Sequence, residues 1–148
     1  MQFFYRKAEA SDKGRIEELF WEMLRTIYHT DDVQGYEETY LDKYFAGNED
    51  HIYVAVQEKE VVAYLSVEVY REDAYIYLDD LSVTGRCRDK GIGTKLIGMA
   101  EDYAKETGIK AIVFHVEKTN TGAHQLYKRL GYRDDEDQGS RIRMVREF

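Results

Sequence analysis

Arg88-Asp89-Lys90-Gly91-Ile92-Gly93 places two basic side chains and a glycine pair between an apolar strand, 75–83, and the start of an amphipathic helix. Glycine allows a sharp turn there and, lacking Cβ, lets a ligand approach the main chain closely. The first turn of the helix offers unpaired N–H groups and a partial positive charge, which together bind phosphate. Arg88 and Lys90 add two full charges. Residues Arg88, Asp89, Lys90, Gly91, Ile92, Gly93 and Thr94 therefore form a candidate cradle for a phosphate-bearing cofactor. It is neither a dinucleotide fingerprint, whose third glycine would stand where Leu96 is, nor a Walker A loop, since no Gly-Lys-Ser/Thr run occurs.

R-x-x-G-x-G after a strand resembles the pyrophosphate-binding segment of the GNAT superfamily of N-acetyltransferases. A second segment, running from Asn120 through Ala123 and Tyr127 to Gly131 and Tyr132, matches that family's N-x-x-A-x-x-x-Y-x-x-x-G-[FY] signature at every fixed position. An ordinary capped helix explains Gly131 and the apolar stripe, but not Asn, Ala and Tyr at these spacings. The resemblance is close over residues 75–132; before them only the order of elements agrees. It implies acetyl-CoA as co-substrate, no metal, and an amine as acceptor.

Acetyl transfer to an amine sets three requirements. An alkylamine of pKa ~10 must lose a proton, the carbonyl oxygen needs a donor as it becomes negative, and the leaving thiolate benefits from a proton. Asp80 and its neighbour Asp79 are the candidate bases, against the plainer reading that one of them satisfies exposed N–H groups. The family resemblance assigns the main-chain N–H groups of Leu81 and Val83, flanking Ser82, to the acetyl carbonyl and pantetheine. It makes Tyr127 the acid for the thiolate and Asn120 a partner of the pantetheine arm. Their rivals are a core tyrosine and a plain N-cap. His29, His51, His115 and His124 show no metal-ligand spacing, and His115, mid-strand, reads as a packed neutral histidine. A covalent route through Cys87 has no base near it in sequence.

The elements that must position these residues follow from periodicity. A strand is expected over 2–7, and a helix from Ser11 or Asp12 with Ile16, Leu19, Phe20, Met23, Leu24 and Ile27 on one stripe. A second helix is expected from Tyr36, with Tyr40 and Tyr44 four apart. A hairpin joins 51–56 to 61–70, a strand covers 74–83 and a helix about 92–106. The strand 110–117, the helix 120–130 and a closing strand 140–147 complete the order; 132–139 is part strand, part acidic loop. In 74–83, strict alternation would put Ile76 and Leu78 on one face and Leu81 and Val83 on the other. An extra residue at Asp79 or Asp80 restores the phase, so a bulge is expected there. The order β-α-α-β-β-β-α-β-α-β-β is that of the GNAT fold, an α/β (α+β) architecture. That resemblance implies a mixed, mostly antiparallel sheet of about seven strands with four helices on both faces, and a bulged strand at the cofactor site.

Composition bounds the rest. At 148 residues, 43% hydrophobic and 34% charged, the chain reads as one domain, 1–148. No apolar run approaches the ~20 residues of a membrane span, the N-terminus lacks a signal-peptide stretch, and one cysteine fits a reducing cytoplasm. A net charge of −8 argues against nucleic acid. The family resemblance implies that the acceptor cleft is walled by Asp31, Asp32, Glu37 and Glu38 on one side and by 134–137 on the other. These favour a small cationic acceptor, with Tyr28, Tyr36 and Tyr40 as faces for it, against the plainer reading of solvated acidic loops and core tyrosines. The expected partners are thus a small-molecule amine and no membrane, and a homodimer is compatible with the sequence. The rival functions are acetylation of a protein or peptide amine, and a CoA-binding regulatory module without catalysis.

Overall fold

The computed structural model describes residues 2–148 as one seven-stranded sheet. The strands are β1 Phe4–Lys7, β2 His51–Gln57, β3 Glu60–Tyr70, β4 Tyr75–Val83, β5 Ala111–Glu117, β6 Arg133–Asp137 and β7 Arg141–Glu147, in the order β1-β2-β3-β4-β5-β7-β6. All neighbours are antiparallel except β4 and β5. The α-helices are α1 Lys13–Tyr28, α2 Ile92–Thr107 and α3 Thr121–Arg129; a six-residue 3-10 helix covers Tyr40–Phe45.

Two apolar clusters lie on opposite faces of the sheet. Ile16 and Leu19 of α1, with Leu41 and Tyr44 of the 3-10 helix, pack on Ile52, Val54 and Tyr64. On the other face Leu96, Ile97 and Ala100 of α2 meet Leu65, Leu78 and Phe114, and Tyr127 of α3 packs against them. The alternation along β2 divides its side chains between the faces: Tyr53 and Ala55 go to the second cluster, Ile52 and Val54 to the first.

The expected second helix is shortened. Residues 36–37 are irregular, and only Tyr40–Phe45 is helical, with 3-10 geometry. Tertiary contacts override the i, i+4 pattern here: Tyr36 stacks between Phe20 (3.9 Å between centroids) and Tyr40 (4.7 Å), and its hydroxyl is tied to β4. Gly35 fits this turn because a Cβ there would lie 2.4 Å from the Trp21 indole nitrogen.

Candidate active site

β4 carries the bulge where the hydrophobic phase requires it. Leu65 pairs with Leu81 and Val67 with Leu78, so Asp79 and Asp80 together face the single residue Ser66. The extra residue keeps Leu78 and Leu81 in the same apolar cluster and sends both aspartates to the face of α1. Beyond the bulge β4 leaves β5: the two strands pair only at Ile76–Ile112 and Tyr77–Val113. The N–H of Thr84 is spent on Val62 O at 2.9 Å. By alternation Ser82 also faces β3, while the N–H groups of Leu81 and Val83 face the opening between β4 and β5.

On the α2 face that opening leads into a groove of about 910 Å³. Leu81, Ser82, Val83, Arg88, Asp89, Gly91, Ile92, Gly93, Thr94, Asn120 and Tyr127 all line it; of the expected cofactor residues only Lys90 does not. Asp89 and Gly91 take left-handed φ of 61° and 79°, so successive N–H groups at the start of α2 turn toward one side. A Cβ at Gly91 would meet nothing within 4 Å, and one at Gly93 only a Leu81 methyl at 3.6 Å. The cradle is open, and its size, N–H donors and cation fit a diphosphate with an extended arm.

Arg88 is held at the mouth by Glu22 of α1, 3.6 Å away, and donates to Val83 O at 3.2 Å. Glu22 also accepts from Thr84 Oγ1 (2.8 Å) and Gly85 N (2.9 Å), fixing the loop before the cradle. Ser82 lines the groove without a free donor toward it: its N–H faces β3 and its buried hydroxyl donates to Leu19 O at 3.0 Å. The Asn120 side chain accepts from Ala123 N at 3.4 Å, the N-cap arrangement, while still lining the groove. Tyr127 packs edge-on against Phe114, 4.6 Å between centroids. Burial pushes its hydroxyl up to about 12, which keeps it a proton donor at neutral pH. It also lines a small cavity of about 40 Å³ with Leu78, Leu81 and His115.

The opposite face holds the carboxylates. Tyr36 donates to Asp80 Oδ2 at 2.6 Å and meets Tyr64 at 2.9 Å; Tyr40 donates to Asp79. Burial first, and then the Asp79 charge, push the Asp80 carboxyl up to about 7, against the opposing pull of the Tyr36 hydrogen bond. A base poised near neutrality is what amine deprotonation needs. His115 shares a hydrogen bond with Tyr77, and its pKa is lowered by burial and by Arg141 and Arg143, so it stays neutral as expected.

The acidic run 134–137 does not form a free negative wall. Asp134 is paired with His124 and Lys128, Asp135 with Arg143 and Arg133, and Asp137 with Lys118. Lysines and arginines of the same chain already lie against Asp134, Asp135 and Asp137, and Lys43 pairs with Glu68 at 2.5 Å. This leaves Asp79 and Asp80 as the carboxylates beneath the tyrosines with no ion-pair partner among the described residues. Glu22, Tyr64 and Glu68 had not stood out in the sequence. A single carboxylate inside the apolar run Val61–Tyr70 was the one signal that pointed to Glu68.

Comparisons with known proteins agree with this geometry. The family model described as Acetyltransferase (GNAT) family matches residues 16–132. An uncharacterised N-acetyltransferase of Bacillus subtilis, YhfO, is 31% identical over 135 residues, 88% of this chain and 89% of that protein. One from Methanocaldococcus jannaschii, MJ1530, is 31% identical over 130 residues, covering 87% and 77%. The fold is similar to that of the PaiA N-acetyltransferase of Thermoplasma acidophilum in complex with coenzyme A. That likeness has a TM-score of 0.84 at 18% identity, with 100% of both chains covered. With the bulged strand, the open cradle and the tyrosine signature all in one chain, the protein belongs to the GNAT family and is an N-acetyltransferase.

Proposed function

We propose that this chain moves an acetyl group from acetyl-CoA directly to the primary amine of a small acceptor that arrives as a cation. The observation that carries this reading is Asp80: a half-buried carboxyl that shares the bulge and one face of the sheet with Asp79, receives Tyr36 at 2.6 Å and is pushed up to about 7, beside the opening between β4 and β5. When bound, acetyl-CoA supplies the activated acetyl thioester. The N–H groups of Ile92, Gly93 and Thr94, with Arg88, hold the diphosphate, and Asp89 and Gly91 shape that turn. Lys90, exposed next to the cradle, adds to its positive field. The N–H groups of Leu81 and Val83 orient the pantetheine arm and the carbonyl oxygen, with Asn120 on the far wall. Asp80 takes the amine proton, Asp79 holds the negative field that draws the ammonium in, and Tyr127 donates a proton to the departing sulfur.

Cys87 is 2% exposed, with Arg86 Nη1 3.6 Å and Gln57 Oε1 3.9 Å from its sulfur; neither is a base that would make it a nucleophile. This favours direct transfer. A buried free thiol also suits a reducing compartment, and we place the protein in the cytoplasm on that ground. No helix among the described residues is long and apolar enough to cross a membrane.

Incubating the purified protein with acetyl-CoA and a panel of polyamines, aminoglycosides, amino acids and peptides tests the reading. Thiol release should be fastest with small cationic amines. Preference for peptides would assign it to protein acetylation, and no release with any amine would leave a CoA-binding module without catalysis.

A further inference from the structure

A chain of hydrogen bonds leads away from the bulge to the protein surface. Tyr44 Oη lies 3.3 Å from Asp79 Oδ2 and 2.7 Å from Glu68 Oε2. A single phenolic proton therefore serves two carboxylates, and while Tyr44 donates to one it is free to accept from the other. Glu68 sits near the C-terminal end of β3, 6% exposed, and its oxygens also receive Lys43 Nζ at 2.5 Å and Tyr70 Oη at 2.8 Å. The Lys43 side chain is 41% exposed and Tyr70 is exposed, so the chain ends in water. A carboxylate buried in a strand costs stability that an apolar residue would not. Three donors converging on Glu68, one of them reaching back to the Asp79–Asp80 pair, give it a use that packing does not.

We propose that Tyr44 and Glu68 form the outlet for the proton that Asp80 takes from the acceptor amine. The inference rests on the reading of Asp80 as the base. An ammonium loses two protons when it becomes an amide: one goes to the departing sulfur and the other must reach solvent. The N–H bond breaks as Asp80 gains the proton, and Asp80 passes it to Asp79. The Asp79 O–H proton then moves to Tyr44 Oη as the Tyr44 O–H proton moves to Glu68 Oε2. Glu68 releases it to water beside Lys43 and Tyr70, and rotation of the Tyr44 hydroxyl resets the path. One proton enters and one leaves, with no change in oxidation state. The groups facing this path are Tyr36, Tyr40 and Lys43 from the segment after α1, Tyr64 and Tyr70 from β3, and Tyr77 from β4.

The test uses the full chain with Tyr44→Phe and Glu68→Gln, assayed with acetyl-CoA and the best amine of the panel in dilute buffer. Each variant should lose roughly tenfold or more in kcat, the lower end of what proton-transfer groups contribute, with the KM for acetyl-CoA unchanged. Imidazole, a small base able to enter the acceptor cleft, should restore kcat in both variants and leave the wild type unaffected. The solvent deuterium isotope effect on kcat should rise in both. Wild-type turnover in the variants, or a loss that neither imidazole nor deuterium changes, would overturn the outlet. Tyr44→Phe keeps the ring and its packing, so it decides the matter if Glu68→Gln does not fold. Asp80→Asn separates the two readings. If it stays active, the base itself is wrong; if it is dead while Tyr44→Phe is normal, only the outlet is.

Discussion

Asp79 and Asp80, adjacent in sequence on β4, present their carboxylates to the same face of the sheet: Asp79 receives Tyr40, and Asp80 receives Tyr36 at 2.6 Å. On a regular strand they would point to opposite faces. The bulge opposite Ser66 removes that alternation, and the resulting closeness of two acids helps burial hold Asp80 near neutrality. The same irregularity frees the N–H groups of Leu81 and Val83. One local defect thus sets up both the proposed base and the backbone edge proposed to hold the cofactor.

The Asp80 base should be visible in the pH profile. Its active form is the carboxylate, so kcat/KM should fall tenfold per unit as pH drops below about 7 and level off above it. A profile flat from pH 5.5 to 8 would remove Asp80 from the proton transfer.

Stability should move in the opposite sense. Because the folded-state pKa of Asp80 lies above its unfolded value, the folded chain binds this proton more tightly, and the resulting stability is lost as pH rises through about 7. Asp80→Asn retains an acceptor for Tyr36 and carries no charge. It should raise Tm by a few degrees at pH 8, where about 1 kcal/mol is worth roughly 3 °C for a domain this size. The gain should shrink at pH 5.5, as differential scanning calorimetry would show.

Tyr127→Phe keeps the edge-on contact with Phe114 and removes a hydroxyl that forms no hydrogen bond among the described residues. Turnover should drop by roughly 10²-fold if this hydroxyl protonates the departing sulfur. Acetyl-CoA affinity and Tm should stay near those of the wild type; equal turnover would return Tyr127 to the core.

Gly93 gives a cleaner test of the cradle than Gly91, whose φ of 79° would strain any side chain. Room exists for a methyl at position 93, with Leu81 at ordinary contact distance. Gly93→Ala should therefore fold normally, yet weaken acetyl-CoA binding at least tenfold by standing where phosphate oxygens approach. Unchanged affinity by calorimetry would place the diphosphate elsewhere.

Glu22→Gln tests the support beneath Arg88. It keeps one acceptor, for Thr84 or Gly85, but loses the charge that holds the guanidinium at 3.6 Å. Acetyl-CoA affinity should weaken by roughly twofold to fivefold, the size of a modest, half-exposed ion pair, with the amine KM unaffected.

Several features were decided by local sequence alone. Gly91, Ile92 and Gly93 read as a phosphate cradle because a turn and a helix start require only neighbouring residues. The bulge was legible because a period of two makes one extra residue show as a break in the apolar phase between Leu78 and Leu81. What the sequence could not specify were contacts between distant residues. Tyr36, Tyr40 and Tyr44 read as a helical row, but docking against β4 unwound the first of them and turned their hydroxyls onto Asp79, Asp80 and Glu68, from 24 to 44 residues away. The run 134–137 read as free negative charge until β7 and α3 brought Arg143, His124 and Lys128 beside it. Periodicity fixes which face a side chain takes, whereas the charge it meets there depends on strand register and helix docking, which exist only in the folded chain.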